Sequence, residues 1–379
     1  MSKNSNTVKR PKICWVTPDK KVYGNALGYA THNRNMIKHS KKYMDFDYAA
    51  LAALTITPAD HYEPVPGKFN ILFSMFEFID LPKTYVANLH KADAIVVPCS
   101  FCRDLFKKYT DIPVEVCWEG VEPDKYPFYQ RSFPKIKEGE KFRFLWIGAP
   151  NPRKGYPLVL EAIKIFENVP EVEIYIKTTT KKTTWTEFFS ILWRRRKDIF
   201  RGQHATREKK AFWSTLRRLP LPTIADKVTR FGKHKNIIFD TRFLPHEDLL
   251  GLYNSAHCFI LPTFGEGWGL TLCEALATGA PCIAPVHTGT ADFFDEKVGF
   301  PINHELIEQT LKNYDLKTKG YICDTQDMVS KMLGVMKHYN EALRRGKKGS
   351  ERIRNKFTWD KSAQRLTELV ARWTNVNYQ

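Results

Sequence analysis

The segment that most constrains the fold is residues 264–279, FGEGWGLTLCEALATG, which combines a glycine-rich loop with a helix. Residues 271–278 contain neither glycine nor proline, and apolar residues recur there at helical spacing. Gly279 stands where a C-cap glycine is expected. Upstream, residues 257–261 have the composition of a buried strand. This order predicts an α/β unit whose unpaired helix-start amides attract an anion, usually phosphate.

Short apolar runs followed by loops and helices recur along the chain, and this alternation predicts parallel sheets. A polar segment rich in Pro, Lys and Glu, residues 129–141, separates two groups of runs and is interpreted as a domain linker. An amphipathic helix over residues 357–373 is expected to pack across both domains. The predicted buried strands are residues 12–17, 70–76, 94–97, 114–118, 142–147, 171–176, 236–239, 257–261 and 281–284.

A chain of 379 residues is long for a single core and sufficient for two. We therefore predict an α/β fold with two doubly wound, Rossmann-like domains. The predicted N-terminal domain is residues 1–135, and the predicted C-terminal domain, which contains residues 264–279, is residues 136–356. Residues 357–379 form the C-terminal helix in this interpretation.

The overall composition excludes several classes of protein. Hydrophobic content of 43% and aromatic content of 13% exclude a disordered chain. No apolar run reaches the ~18–20 residues of a membrane helix. The first twelve residues, MSKNSNTVKRPK, are polar and basic and do not resemble a signal peptide. Eight scattered cysteines are expected to be reduced and mostly buried, so a cytoplasmic location is expected.

The formal net charge of +18 predicts a polyanionic partner, which could be nucleic acid, an anionic membrane surface or an acidic polymer. A generally basic surface without such a partner is the alternative. Residues 177–235 contain 17 basic and four acidic residues, so they carry +13 of this charge. They also interrupt a strand-to-strand connection with about 60 residues, far more than a usual crossover.

This basic insertion also carries an apolar stripe at helical spacing, formed by Trp185, Phe188, Phe189, Leu192 and Trp193. In one interpretation a helical insertion packs this stripe on its own domain and presents its charges to solvent. In the other, the insertion binds a polyanionic acceptor. The residues assigned to acceptor binding are Lys181, Lys182, Arg194, Arg195, Arg196, Lys197, Lys209 and Lys210.

Three further candidate residues, Gly24, Gly28 and Glu77, follow predicted strands of the N-terminal domain. Gly24 and Gly28 bracket a turn between the first strand and the next helix. Their spacing is not GxGxxG, so no dinucleotide-binding fingerprint is inferred. Glu77 directly follows the predicted strand at residues 70–76 and is placed at its carboxyl end.

A CxxC pair, Cys99 and Cys102, lies at a predicted helix start, where a thiolate would be stabilised. Ser100 is expected to cap that helix. A redox or metal role is an alternative, but no second ligand pair supports zinc. We therefore favour simple packing of two small residues under a helix.

Several segments together resemble the retaining glycosyltransferases of family four. FGEGWGLTLCEALATG resembles the family's acid–seven–acid motif, and FLWIGAPNPRKG resembles its donor loop. ILPTFGEGWG, IVVPCSF, WEGVEPDKYPF and FTWDKSA resemble its PS-x-x-EGFG, VPS-x-F, NGVD and terminal F-S-W segments. The resemblance covers nearly the whole chain except residues 177–235. It implies the GT-B architecture, in which two Rossmann-like domains face each other across a cleft and the C-terminal helix crosses back to the first domain.

The resemblance also implies residue roles for a UDP-sugar donor, with no cofactor and no metal. Glu266 would face the transferred sugar, and Glu274 would bind the ribose hydroxyls. Lys154, with Arg153, would neutralise the diphosphate leaving group. Glu77 is the candidate contact for the acceptor hydroxyl, with helix capping as its alternative. The remaining donor-binding residues are Gly267, Trp268, Gly269, Leu270, Thr271, Gly24, Asn25 and Gly28.

The sequence departs from the family's pattern at three positions. Many relatives have an arginine after the glycine of the donor loop, where this chain has Ala149. Thr263 replaces the serine of the PS motif, and Glu119 replaces the asparagine of the NGVD motif. The first departure leaves two alternatives: either Arg153 substitutes for the missing arginine, or the donor phosphate is held differently. The last departure changes the hydrogen bonding expected of that loop.

The motifs leave the acceptor open. The leading hypothesis is DNA with hydroxymethylated pyrimidines, whose phosphates the basic insertion would follow. Phage enzymes modify DNA in this way, and such an enzyme would work in the host cytoplasm. The alternatives are a membrane lipid, with residues 185–193 in the interface, or a glycan. A non-catalytic nucleic-acid-binding protein is a further alternative, against which the intact Glu266, Glu274 and Lys154 argue.

Overall fold

The computed structural model describes residues 10–17, 27–178 and 228–376, which form two main sheets with helices packed against them. The first sheet has six parallel strands in the order β2-β1-β3-β4-β5-β6. Its strands are β1 (Lys12–Val16), β2 (Asp45–Phe46), β3 (Ala52–Ile56), β4 (Phe69–Phe73), β5 (Ala94–Val97) and β6 (Val114–Val116). Helices α1 (Leu27–Ser40), α2 (Lys83–Leu89) and α3 (Ser100–Phe106) lie between them.

The second sheet has seven strands in the order β13-β12-β11-β7-β8-β10-β9. Only β9 runs antiparallel, and it pairs with β10 at the edge. The strands are β7 (Phe142–Ile147), β8 (Val172–Lys177), β9 (Val228–Phe231), β10 (Ile237–Asp240), β11 (Cys258–Ile260), β12 (Cys282–Pro285) and β13 (Phe300–Ile302). Helices α4 (Tyr156–Phe166), α5 (His246–Ser255) and α6 (Leu270–Ala277) lie between them. Because β7 and β11 are parallel neighbours, the loops that follow them meet at one edge.

A separate antiparallel hairpin follows the second sheet. Its strands, β14 (His304–Leu311) and β15 (Leu316–Cys323), pair without interruption from His304–Cys323 to Leu311–Leu316. The connecting turn contains Asp315 at φ 46°. This hairpin was not predicted from the sequence.

Three helices end the chain, and the last one crosses back to the first domain. Trp359 and Leu366 of this helix lie in the same buried cluster as Ile13 of β1. Asp360 accepts a hydrogen bond of 2.7 Å from the Tyr43 hydroxyl. The predicted fold, two Rossmann-like domains with a C-terminal helix returning to the first, is confirmed, while the exact domain boundaries stay predictions. The helices are α7 (Thr325–Lys337), α8 (Tyr339–Lys356) and α9 (Trp359–Val376).

The segment predicted as a linker is anchored by a buried arginine. Arg131 is 6% exposed and donates hydrogen bonds to the carbonyls of Tyr253 (3.0 Å), Ala256 (2.9 Å) and Thr278 (2.6 Å). These carbonyls lie at the ends of α5 and α6, where the helix dipole favours a cation. Burial lowers the pKa of Arg131 to about 10. The linker is therefore fixed to the second domain near α6.

The structure corrects two local expectations. Strand β4 ends at Phe73 because the next backbone turns toward α1, where the Met75 N–H donates to the Tyr29 hydroxyl at 3.0 Å. The N-cap of α3 is Cys99, whose Sγ accepts from the Cys102 N–H at 3.4 Å. The expected cap, Ser100, is instead the first helical residue.

Most of the basic insertion, including its apolar stripe and all eight residues assigned to acceptor binding, lies outside the described residues. At its ends, Lys177 closes β8 and is buried, and Arg230 of β9 pairs with Glu173 at 3.2 Å. The described residues of this segment therefore belong to the second sheet.

Candidate functional site

Two loops that carry predicted site residues lie side by side at the carboxyl edge of the second sheet. The loop after β7 holds Arg153 and Lys154 in a short 3-10 turn, capped by Asn151, whose Oδ1 accepts the Lys154 N–H at 3.1 Å. The loop after β11 holds Glu266. The Phe264 N–H joins the loops by donating to the Arg153 carbonyl at 2.6 Å. The strand order thus brings the predicted cations and the first acid together.

Glu266 and Lys154 form a close ion pair. Lys154 Nζ lies 2.7 Å from both Oε1 and Oε2 of Glu266. The Glu266 side chain is only 5% exposed, and the Lys154 side chain is 20% exposed. Thr263 Oγ1 donates a further hydrogen bond of 3.0 Å to Glu266 Oε1. The carboxylate is therefore fixed by several donors in an environment that excludes most water, where such interactions are strong.

Arg153 joins this pair and connects it to the first domain. Its Nη1 donates to the Gly265 carbonyl at 2.6 Å and lies 3.5 Å from Glu266 Oε2. The same nitrogen lies 3.4 Å from Glu77 Oε1, in the loop after β4. One network thus contains all four residues assigned to catalysis, although their chemical roles stay predictions.

The charges in this network determine its protonation. Burial raises the pKa of Glu266, but the Lys154 and Arg153 charges outweigh it and hold that pKa below its ordinary value. Burial lowers the pKa of Arg153, but the charges of Glu77 and Glu266 raise it by more. The pKa of Arg153 therefore lies above its ordinary value. Glu266 is therefore ionised, and Arg153 charged, at neutral pH. An incoming diphosphate would compete with two carboxylates for the same cations.

Two glycines let the loop after β11 touch the first domain. A Cβ added to Gly265 would lie 2.3 Å from the Glu77 carbonyl oxygen. A Cβ added to Gly267 would lie 2.3 Å from Met75 Sδ. The clash at Gly265 is with a backbone atom, so glycine is required there for the close approach, whereas the clash at Gly267 is with the flexible Met75 side chain. The approach brings Arg153 within reach of Glu77.

Helix α6 begins directly after this loop. Its N-cap, Gly269, has φ 110°. In the described part of the chain, no hydrogen-bond acceptor faces the N–H groups of residues 267–271. Free amides at a helix start attract phosphate. Trp268 can offer only its backbone, since its indole is 2% exposed and packs on Phe293 at a centroid distance of 4.8 Å.

Glu274 lies further along α6 and is half-buried. Its Oε2 accepts a hydrogen bond of 2.7 Å from the Tyr253 hydroxyl. Burial raises the pKa of this carboxyl, and hydrogen bonds from Tyr253 and Tyr126 offset the shift only in part. Glu266 and Glu274, seven residues apart in the motif, therefore have opposite electrostatic environments. The contact of Glu274 with ribose stays a prediction.

Two further residues of the site were missed in the sequence. Thr288, in the loop after β12, has φ 50°, which is a rare conformation for a β-branched residue. Its Oγ1 accepts the Glu266 N–H at 3.0 Å. His287 Nδ1 lies 3.2 Å from the same hydroxyl. Backbone strain of this kind is concentrated at functional sites. The only sequence signal was the position of these residues directly after a strand.

A second contact between the domains is a helix cap. Asp292 Oδ2 accepts from the N–H and Oγ of Ser100, at 3.0 and 3.1 Å, and from Trp118 Nε1 at 3.2 Å. Ser100 begins α3 in the first domain, whereas Asp292 follows β12 in the second. A carboxylate of one domain thus stabilises a helix start of the other.

The remaining predicted donor residues of the first domain are less informative. Gly24 and Asn25 lie outside the described residues. Gly28 lies in the first turn of α1, and a Cβ there would meet no atom within 4 Å. Glu119, which departs from the family's asparagine, is 3% exposed, and its Oε1 lies 3.0 Å from His32 Nδ1. The departure is therefore accommodated by a buried ionisable pair.

The CxxC cysteines lie in a packed environment. All eight cysteines of the chain are buried and free of disulfides. Burial raises the pKa of Cys99, and its thiol accepts a backbone N–H as a helix cap. Across residues 10–17, 27–178 and 228–376, no cluster of three or more His, Cys, Asp or Glu side chains is arranged for a metal. Within the same ranges, no helix combines the length and apolarity needed to span a membrane.

A family model described as family 4 glycosyltransferase in conflict systems matches residues 245–366, which include α6 and the loop with Thr288. Mannosylfructose-phosphate synthase of Agrobacterium fabrum is 27% identical over 150 residues, which are 40% of this chain and 29% of that protein. Sucrose synthase isoform 1 of Daucus carota is 31% identical over 116 residues, 30% of this chain and 12% of that protein. The chain thus spans less than a third of the length of either curated relative.

Two solved structures share the fold over nearly the whole chain. Sucrose-phosphate synthase from Thermosynechococcus elongatus has a TM-score of 0.59 at 14% identity, covering 95% of this chain and 81% of that one. Anabaena HepE in complex with UDP and glucose has a TM-score of 0.62 at 10% identity, covering 96% and 100%. At these identities the similarity establishes the fold. The chain therefore has the GT-B fold, and residues 245–366 are similar to family 4 glycosyltransferases.

Proposed function

We propose that this protein is a retaining, metal-independent glycosyltransferase that moves a sugar from a UDP-sugar to a hydroxyl acceptor. The main support for the proposal is the convergence of Lys154 and Arg153 on Glu266, directly before the amides of residues 267–271, which have no partner among the described residues. Two cations and a helix start are a suitable environment for a diphosphate. Retention of configuration rests on the family resemblance.

In the proposed reaction, the bond between sugar C1 and the diphosphate oxygen breaks while C1 bonds to the acceptor oxygen. Lys154 and Arg153 would stabilise the negative charge that grows on the diphosphate. The acceptor proton would leave with that diphosphate. Glu266 would hold the sugar hydroxyls, and Glu77 would contact the acceptor hydroxyl from the first domain. Because protein cations carry the charge, we expect transfer to persist in EDTA.

The choice of UDP is supported by the structural similarity to HepE, whose structure contains UDP and glucose. The proposed ribose contact is Glu274, placed on α6 after the phosphate-binding amides. The identity of the transferred sugar follows from none of these residues, so the first experiment tests several donors.

For the acceptor, we propose hydroxymethylated pyrimidine in DNA. The +13 charge of residues 177–235 supports this choice, since phosphate contacts dominate DNA affinity. The matched family's description as one of conflict systems is compatible with it but names no acceptor. Glu266 is only 5% exposed, so a base stacked in a duplex could not reach it. The target base would therefore have to flip out of the helix.

A glycan or lipid acceptor is the second candidate. The observation that favours it is the nature of the two curated relatives, which are named as synthases of sugars. Under this alternative the basic insertion would contact anionic headgroups or only solvent. A non-catalytic nucleic-acid-binding role is a third candidate, against which the intact network of Lys154, Arg153 and Glu266 argues.

The proposal is tested by incubating the full chain with UDP-glucose, UDP-galactose, UDP-N-acetylglucosamine and GDP-mannose, each with hydroxymethylated or unmodified DNA and with EDTA. We expect a hexose mass shift on hydroxymethylated DNA alone, lost in Glu266→Gln. Transfer to a lipid or glycan acceptor but not to DNA would favour the second candidate. DNA binding without hydrolysis or transfer from any donor would contradict the enzymatic proposal.

A second experiment isolates the role of the insertion. Deletion of residues 181–230 removes β9 residues, so replacement of Arg194, Arg195, Arg196 and Lys197 by serine is the milder variant. We expect wild-type binding of duplex DNA to weaken steeply with salt, and the serine variant to lose part of that dependence. Equal binding to liposomes by both proteins, with no DNA binding, would contradict the proposed acceptor.

A further inference from the structure

We propose that the β14–β15 hairpin is a positioning element that holds Glu77 and Glu266 in a fixed relation across the two domains. The inference deepens the proposed glycosyltransferase function and rests on it. The hairpin, residues 304–323, is inserted between β13 and α7 of the second domain. Its tip contacts the first domain, while its base contacts the loops that hold Glu266.

The tip of the hairpin contacts the loop that carries Glu77. Tyr314 donates a hydrogen bond of 3.3 Å to Asp60 Oδ2, and its ring lies edge-on to Phe76 at a centroid distance of 5.9 Å. Thr318 Oγ1 donates a hydrogen bond of 2.6 Å to Asp80 Oδ2. Phe76 and Asp80 lie on either side of Glu77 in the same loop. The tip therefore restrains the backbone that presents Glu77 to Arg153.

The base of the hairpin reaches Glu266 through an aromatic stack. The His287 ring stacks on Tyr321 of β15, with 4.3 Å between centroids and an interplanar angle of 6°. His304 of β14 packs edge-on against the His287 ring, with 4.7 Å between centroids. His287 in turn contacts Thr288, whose hydroxyl accepts the Glu266 N–H. The stack thus supports the strained backbone that fixes Glu266.

A second, independent route joins the base to Glu266. Cys323, the last residue of β15, donates from its thiol to the Thr263 carbonyl at 3.3 Å. The Thr263 hydroxyl donates directly to Glu266 Oε1. An isolated two-stranded hairpin is marginally stable in water, so the contacts at its two ends are what fix it. One element therefore touches the supports of both carboxylates.

Loosening the tip should affect the acceptor step more than donor binding, because Glu77 is the residue assigned to the acceptor. We expect Thr318→Val, which replaces the hydroxyl with a methyl group of similar size, to lower kcat/KM for the acceptor about tenfold. The affinity for UDP should stay within twofold of wild type. Thr318→Ser keeps the hydroxyl and should restore transfer. Thr310→Val, at an exposed position on β14, is the matched control and should change neither quantity.

Tyr314 supplies the corresponding test of packing. Tyr314→Phe loses the hydroxyl and its hydrogen bond to Asp60 but keeps the ring, whereas Tyr314→Ala also loses the packing on Phe76. We expect a graded loss of transfer, smaller for Phe and larger for Ala, again with UDP affinity unchanged. Wild-type transfer in both Thr318→Val and Tyr314→Ala would overturn the inference. A loss of UDP affinity in proportion to transfer would overturn it as well.

Hydrogen exchange provides a readout that does not depend on catalysis. We expect Tyr314→Ala to exchange faster than wild type in residues 74–82, and Thr310→Val to match wild type. Unchanged exchange in residues 74–82 would contradict the positioning role even in an active enzyme. If wild type transfers sugar from no donor, the proposed function fails, yet the exchange result still decides whether the hairpin restrains the Glu77 loop.

Discussion

Lys154 Nζ lies 2.7 Å from both carboxylate oxygens of Glu266, and this buried pair joins the loops after β7 and β11. Arg153 extends the pair to Glu77 in the other domain. The arrangement places two cations where the proposed diphosphate leaves and one carboxylate on each side of the cleft. Donor binding would then exchange carboxylate contacts of the cations for phosphate contacts.

Replacing Lys154 by methionine tests the first member of this pair. Loss of the cation leaves the Glu266 carboxylate buried with fewer donors, so unfolding free energy should fall by about 2–3 kcal/mol. Transfer should fall about 100- to 1,000-fold, because charge on the diphosphate is no longer stabilised. Lys154→Arg, which keeps the charge, should be intermediate. Steady-state kinetics and denaturant unfolding measure the two effects.

Lys331→Ala is the control for this experiment. Lys331 pairs with Asp327 four residues earlier on α7, far from the network in sequence. The two side chains are 24% and 17% exposed, so the pair is partly buried. A helix pair at this i,i+4 spacing contributes about 0.3–0.5 kcal/mol, so stability should fall only slightly and activity should not change. Equal losses in Lys331→Ala and Lys154→Met would show that the effects are not specific to the site.

Glu274→Gln should separate binding from stability. Burial raises the pKa of Glu274, so its ionised form is penalised at neutral pH and the neutral amide removes that penalty. Unfolding free energy should therefore stay equal or rise. The affinity for UDP should fall about tenfold, since a hydrogen bond from ribose to a charged group is lost. Calorimetric titration with UDP would disprove the ribose contact if it showed unchanged affinity.

The pH dependence of stability should differ in sign between the two acids. Glu266 has a depressed pKa in the folded protein, so its contribution is present above its unfolded value, ~4.3, and is lost as pH falls through the folded value. The deficit of Glu266→Gln relative to wild type should therefore be largest at pH 7 and shrink in acid. Glu274 has a raised pKa in the folded protein, so the unfolding free energy of wild type should increase relative to that of Glu274→Gln as pH falls. Unfolding curves from pH 7 to pH 4 measure both, and parallel curves would contradict the assignment.

Gly265→Ala tests the close approach of the domains. The added Cβ would meet the Glu77 carbonyl at 2.3 Å, and a backbone atom cannot move aside as a flexible side chain can. We expect a loss of about 1–3 kcal/mol and of most transfer activity. Gly251→Ala on α5 is the matched control, because its Cβ would meet no atom within 4 Å. That variant should be more stable by about 0.5–1 kcal/mol. A melting temperature of Gly265→Ala equal to or above that of Gly251→Ala would contradict this expectation.

Local patterns predicted much of the fold. The strands at residues 94–97 and 142–147 were located to the residue, because each is a short apolar run ended by a turn signal. Gly279 adopts φ 79° directly after α6, as expected of a glycine that ends a helix. These features depend on residues close in sequence, and the sequence therefore contains enough information to locate them.

The contacts that build the site were less predictable. Arg153 and Lys154 were assigned to one loop and Glu266 to another, but the strand order that makes those loops neighbours is a property of the sheet. The Asp292 cap on α3 joins positions 192 residues apart in the chain, which no local capping rule can detect. The cap of α3 is Cys99 and not the expected Ser100, whose N–H and hydroxyl donate instead to Asp292 of the other domain.

The hairpin was missed because its strands lack a clear alternation of apolar and polar residues. Glu305, Glu308, Lys317 and Lys319 are exposed, while apolar residues such as Leu306 are exposed too. Its stability derives from contacts at its two ends, with residues distant in sequence. Alternating patterns indicate strands that bury one face against a core, whereas this hairpin is held by contacts with both domains at its two ends.

The most direct test of the central claim is calorimetric titration of UDP in EDTA, with wild type, Lys154→Gln and Lys331→Ala. We predict that wild type and Lys331→Ala bind UDP with equal affinity, and that Lys154→Gln binds at least tenfold more weakly because the diphosphate loses a charged partner. The enthalpy of binding should persist without any metal ion. Failure of wild type to bind UDP or any other nucleoside diphosphate, or equal affinity in all three proteins, would contradict the assignment of this network to the donor.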